Sequence, residues 1–113
     1  MHQMKLHPQP FEMIKSGQKT IELRLYDEKR QQIQVGDTIV FTNTKTGESL
    51  TAAVMQLHRF RNFSELYQAL PLLKCGYTTE DIDSAAPEDM ALYYSPAQQE
   101  RYGVVGIELT LKI

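Results

Sequence analysis

The chain has 113 residues, 42% of them hydrophobic and 23% charged, with a formal net charge of -2. That length suits one domain and is too short for two independent cores, and the composition is that of an ordinary globular protein, not of a disordered, collagenous or coiled-coil one. Neither a strongly basic nucleic-acid binder, nor a membrane span of about 18 apolar residues, nor a signal peptide with an apolar core is expected.

The charge is unevenly spread. Residues 1–62 carry nine Lys/Arg against six Asp/Glu, and residues 63–113 carry three against eight. A modestly basic first half and an acidic second half suit a polarised surface that accepts a phosphate or a short nucleic-acid segment on one side; plain solvated charge explains the same counts.

Met4 to Pro8 predicts a short first strand. In PFEMIKSGQK, Phe11 and Ile14, with Met13 beside them, fall on one side of a short helix. Pro10 is tolerated in its first turn and Gly17 suits a left-handed C-terminal cap. From Thr20 the period becomes two: Ile21, Leu23 and Leu25 face one way, Thr20, Glu22, Arg24 and Tyr26 the other. DEKRQQI reads as a polar connection and VGD as a turn before a strand over Thr38 to Asn43. NTKTGES is a hairpin turn with Gly47 at the permissive position, leading into a long strand over Ser49 to Phe60.

Past Arg61 the pattern turns helical. Asn62 with Glu65 three residues on has the capping-box arrangement, and Phe63, Leu66 and Leu70 share a helical face. YTTEDIDSAAPEDMALYY offers one or two short helices interrupted near Pro87, with its acidic run a solvated face. SPAQQERYG places Ser95 as N-cap, Pro96 at the first helical position and Gly103 just past the end. VVGIELTLKI closes with a strand alternating Val105, Ile107, Leu109 and Leu111. Parallel βαβ alternation is not sustained, so the predicted class is α+β: a mostly antiparallel sheet curled toward a small barrel, short helices on one side or end, the first and last strands closing or extending the sheet. No linker or repeat interrupts residues 1–113, which read as a single domain.

The chemistry concentrates at GQKTIELR. Residues two apart on one strand face have Cα atoms roughly 6.5 to 7 Å apart, within pairing reach of long side chains. Glu22 and Arg24 are so placed, and Lys19 enters from the turn before the strand. Converging cations would hold Glu22 ionised. Lys19 then meets a phosphate as a point charge, Arg24 forks onto phosphate or stacks on a base, and Glu22 accepts from an exocyclic amine or a ribose hydroxyl. In a catalytic variant of the same site, Lys19 acts as base or polarises a carbonyl while Glu22 orients it or shuttles the proton. A salt-bridged strand face yields the same three residues, so residue chemistry by itself leaves both open.

GQKTIELR resembles the GxKxxExR signature of the ASCH domain, a relative of the PUA fold. VGDTIVF about a dozen residues later and YYSPAQQERYGVVGIELTLKI at the end extend the likeness to the small bacterial members over nearly the whole chain. The resemblance implies a PUA-like small β-barrel with flanking helices and a cleft beside the motif for RNA or a modified nucleoside or nucleotide. Small members of that superfamily hydrolyse the acetyl amide of N(4)-acetylcytidine with the motif Lys, a Thr three residues later and a separate Glu. Lys19 matches the Lys, and Glu22 stands where they keep Thr. A carboxylate does not replace a hydroxyl nucleophile activated by Lys, so the resemblance carries binding further than amidohydrolysis. Ribonuclease activity, also linked to ASCH proteins, would need Glu22 or His58 as base.

LHRFRNF interleaves His58, Arg59 and Arg61 with Phe60 and Phe63, a pattern that stacks on and neutralises a nucleic-acid strand and that a strand end with core aromatics also produces. Arg59 and Arg61 are therefore expected as auxiliary phosphate contacts. Tyr93, Tyr94 and Tyr102 flank the last helix as packing residues, one of them a candidate cleft wall. His2 and His7 lack partners at metal-ligand spacing, so no metal and no cofactor is expected. The single Cys75 suits a reducing compartment and a cytoplasmic protein.

Overall fold

The computed structural model describes residues 1–112. Strand β1 (His2–Leu6) leads into helix α1 (Pro8–Lys15), whose first turn holds both Pro8 and Pro10 and which buries Phe11 and Ile14. Gly17, at φ 86°, ends it. Strand β2 (Ile21–Leu25) follows, then a single 3-10 turn over Arg30–Gln32, then the antiparallel pair β3 (Thr38–Asn43) and β4 (Ser49–Phe60).

Helix α2 (Phe63–Ala69) starts where the Asn62 side chain accepts from the Glu65 amide. The reciprocal half of the expected capping box is displaced by one residue. Glu65 accepts from the Arg61 amide at 3.1 Å, because the Arg61 guanidinium draws the carboxylate to itself at 2.9 and 2.6 Å. The acidic stretch forms 3-10 turns over Ile82–Ser84 and Pro87–Leu92. Helix α3 (Pro96–Tyr102) carries a complete capping box between Ser95 and Gln98 and stops at Gly103, φ 73°, leading into β5 (Val104–Leu111).

The five strands lie in the order β1-β3-β4-β5-β2. β1 runs parallel to β3 and the other three pairings are antiparallel. The last strand neither closes nor extends the sheet: β5 lies inside it between β4 and β2, and β1 forms one edge. The sheet is curled, so its two end strands approach each other. Arg24 of β2 donates to the Lys5 carbonyl of β1 at 3.1 Å, and Lys29, just beyond β2, donates to the Gln3 carbonyl at 2.9 Å. Two cationic side chains thus cover edge carbonyls that backbone pairing leaves free.

Both sheet faces are buried. One packs Phe11 and Ile14 of α1 against Phe41, Val54, Val105 and Ile107, and the other packs α2 against Ile21, Leu23, Leu25 and Val104. Alternation along β2 sends its apolar residues to the α2 face and Glu22, Arg24 and Tyr26 to the α1 face. β4 keeps no single alternation. Its register against β5 shifts between Val54 and Gln56, so Met55 is an extra residue and the parity of the rest of the strand reverses. Leu57 and Arg59 therefore share the face of Val54, and Phe60 packs on the α2 side.

Candidate functional site

The end of α1 delivers Lys19. Its amide donates back to the Met13 carbonyl at 3.0 Å, fixing the turn, and the Thr20 amide donates to the Lys74 carbonyl at 2.9 Å, fixing the strand entrance. The Lys19 ammonium then lies 2.7 Å from Glu22 Oε1, and Arg24 Nε donates to Glu22 Oε2 at 2.7 Å. Each carboxylate oxygen serves a different cation. The three side chains are only 10%, 5% and 14% exposed for Lys19, Glu22 and Arg24. The structure therefore brings together the first three sequence-predicted site residues.

Burial alone would raise the Glu22 pKa, but the charges of Lys19 and Arg24 and their hydrogen bonds outweigh it and hold the carboxyl below its ordinary range. Burial likewise works against the Arg24 cation, and the Glu22 charge and the neighbouring Tyr94 phenol more than restore it. Two cations against one anion leave an excess positive charge and, counting ammonium and guanidinium hydrogens, unspent donors. Such a site is built to receive an acceptor, either an anion or a carbonyl oxygen.

The triad forms part of the lining of a cleft of about 510 Å³ between the β1–α1 junction and the segment after α2. Its walls include His7, Met13, Tyr67, Gly76, Tyr77, Asp89, Tyr93 and Tyr94. Gly76, at φ 113°, lies so close to Lys19 that a Cβ there would sit 3.4 Å from Lys19 Cδ and 3.7 Å from Nζ. Tyr77 donates to Asp89 at 2.7 Å and is itself 2.7 Å from the Tyr67 hydroxyl. Because the single Tyr77 proton goes to Asp89, Tyr67 is the donor in the second bond. Burial raises the pKa of both phenols, and the Tyr77 bond holds Asp89 ionised. At the rim Leu92 and Tyr93 are 85% and 64% exposed. Tyr94 also stacks on Phe63, ring centroids 6.1 Å apart. Cys75 lies buried behind Lys19, its thiol pushed up to about 11 by burial, so it is no nucleophile at neutral pH.

Gly76, Tyr67, Tyr77 and Asp89 are cleft residues that the sequence reading misses. A tyrosine beside a short acidic 3-10 segment carries no periodic signal, and only the fold brings it opposite Lys19.

Arg59 and Arg61 do not line this cleft. They line a wider, open groove of about 1100 Å³ between the end of β4, the start of α2 and α3. The smaller cleft, and not the larger groove, holds buried ionised groups. Arg59 lies over the Tyr26 ring at 4.3 Å, and Arg61 pairs with Glu65. His58 is 2.9 Å from Glu108. Among the described residues no group of three His, Cys, Asp or Glu could hold a metal ion, and no helix is long and apolar enough to cross a membrane.

The family model of the ASCH domain matches residues 4–113. The hypothetical protein PH0355, known from a crystal structure, is 31% identical with a TM-score of 0.80, the match covering 97% of each chain. Protein PF0455 from Pyrococcus furiosus, known in solution, is 32% identical with a TM-score of 0.74 over 97% of this chain and 96% of that one. An ASCH protein from Zymomonas mobilis shares the fold at 16% identity and TM-score 0.63, over 96% of this chain and 65% of that one. No curated protein matches the chain.

Proposed function

The chain belongs to the ASCH domain family, and on that footing we propose that it is a binding module for RNA or a modified nucleotide, which enters the cleft beside Lys19. The observation that carries the reading is the convergence of Lys19, Glu22 and Arg24, nearly buried, in a cleft walled by tyrosines. Lys19 and Arg24 supply donors for a phosphate or a base carbonyl, and the exposed Tyr93 ring at the rim supplies an apolar face for a base. The curled five-stranded sheet with short flanking helices supports classing the fold with the PUA-like barrels. A cytoplasmic setting, with Cys75 left as a thiol, belongs to the same proposal.

The geometry favours binding over proton transfer. Both Glu22 oxygens are committed to cations and its carboxyl is held ionised, so it is a poor proton acceptor. Titration of the protein with RNA and with nucleoside monophosphates at low salt tests the reading. Salt-sensitive binding that Lys19→Ala and Arg24→Ala both weaken is expected, and failure to bind any of them ends it. Release of cytidine from N(4)-acetylcytidine by wild type but not by Lys19→Ala would instead replace it with an amidohydrolase.

A further inference from the structure

The cleft and the groove share no lining residue, yet the sheet connects them. Arg24 of β2 and Arg59 of β4 both register with Val105 of β5, so the three form one cross-strand row. With strands about 4.8 Å apart, the two arginine Cα atoms are about 10 Å apart. They also share a face, because the extra residue Met55 reverses the parity of β4; unbroken alternation would turn Arg59 away. Tyr26, two residues past Arg24 on that face, packs on the core below and carries the Arg59 guanidinium above. Arg59 lines the groove together with Arg61, 87% exposed, and Arg101, 5.0 Å over the Tyr102 ring.

We propose that cleft and groove form one track for a single-stranded oligonucleotide: one nucleotide occupies the cleft, and the phosphates of its neighbours run over Arg59, Arg61 and Arg101. This rests on the cleft being a nucleotide site. Three guanidinium groups, two of them held over tyrosine rings, are suited to forked phosphate contacts and to stacking. Glu65 and Glu100 also line the groove, but an exposed pair such as Arg61–Glu65 is weak and exchanges readily for phosphate. A single strand is favoured because a base that reaches side chains as buried as Lys19 and Arg24 has left its pairing partner, which in a duplex costs unpairing and unstacking energy.

Calorimetric titration at low salt with cytidine monophosphate and with a mixed-sequence RNA of nine nucleotides tests this. The nine-mer is expected to bind at least about tenfold tighter than the monophosphate. The double variant Arg59→Ala with Arg61→Ala should bring the nine-mer down to the monophosphate level. It should also flatten the salt dependence by roughly 0.7 in log–log slope for each phosphate no longer neutralised, with monophosphate affinity changed less than about twofold. Glu100→Gln, which removes a negative charge from the groove, should tighten the nine-mer alone. No gain with length, or a nine-mer affinity unmoved by the double variant, overturns the track and leaves the cleft reading standing on monophosphate binding. Absence of binding by both probes overturns the two together.

Discussion

Arg24 of β2 donates from Nη2 to the Lys5 carbonyl of β1 at 3.1 Å, so a side chain links the two end strands of the curled sheet. The same guanidinium holds Glu22 through Nε at 2.7 Å. One residue therefore shapes the cleft and closes the seam beside it, and stability and binding are coupled there.

Arg24→Ala removes both bonds and leaves a buried carboxylate with Lys19 alone. Because Lys19 still compensates Glu22, the cost lies below the roughly 3 to 5 kcal/mol of an uncompensated buried charge, and in a domain of this size each kcal/mol moves Tm by about 4 °C. A fall on the order of 5 to 10 °C in thermal denaturation is expected. Arg24→Lys keeps the charge but not the fork, so it should recover only part of the loss. Equal Tm values for wild type and Arg24→Ala would mean that the seam contributes nothing.

Glu22 makes the stability pH-dependent with a defined sign. Its carboxyl is lowered from the ordinary 4.5 in the folded state, so the unfolded chain takes up the proton first. The Glu22 contribution is complete above pH 4.5 and is lost as pH falls through the folded-state value. Urea midpoints at pH 7, pH 5 and pH 3 should show Glu22→Gln far below wild type at neutral pH, where Lys19 and Arg24 are left facing each other without a counter-charge, and the gap narrowing in acid. A constant gap across the three pH values would assign the loss to packing instead of charge.

Gly106 sets how closely α2 approaches the sheet. A Cβ there would sit 2.7 Å from Leu70 Cδ1 and 3.2 Å from Ile21 Cγ2. Gly106→Ala should cost about 1 to 3 kcal/mol by overpacking, read as a lower denaturation midpoint, and adding Leu70→Ala should recover part of it. Additive losses in the double variant would rule out the Leu70 contact as the cause.

The parts of this molecule that can be read from sequence are those fixed by local rules. Alternation in β2 put Glu22 and Arg24 on one face, the turn after α1 supplied Lys19, and Ser95, Pro96 and Gly103 bounded α3. What escaped depends on contacts distant along the chain. The insertion of β5 between β4 and β2 is a choice of strand partner, and the Met55 bulge breaks an alternation that otherwise looks continuous. Tyr77 and Asp89 become cleft residues only because 3-10 turns fold the segment after α2 back over Lys19.

Gly76 is the sharpest case, since a lone glycine in KCGYT gives no sequence signal of a site. Its φ of 113° is one that a side-chain-bearing residue adopts only with strain of order 1 to 3 kcal/mol. Relief of that strain requires the backbone between Cys75 and Tyr77 to turn, and that backbone packs against the Lys19 stem. Gly76→Ala should therefore lower stability and weaken nucleotide binding together. Gly47→Ala in the β3–β4 hairpin is the matched control: its φ of 77° imposes comparable strain, and a Cβ there has nothing within 4 Å. It should lower the denaturation midpoint while leaving monophosphate affinity within about twofold of wild type. If both variants bind alike once measured well below their melting temperatures, Gly76 serves the fold alone and has no part in positioning Lys19.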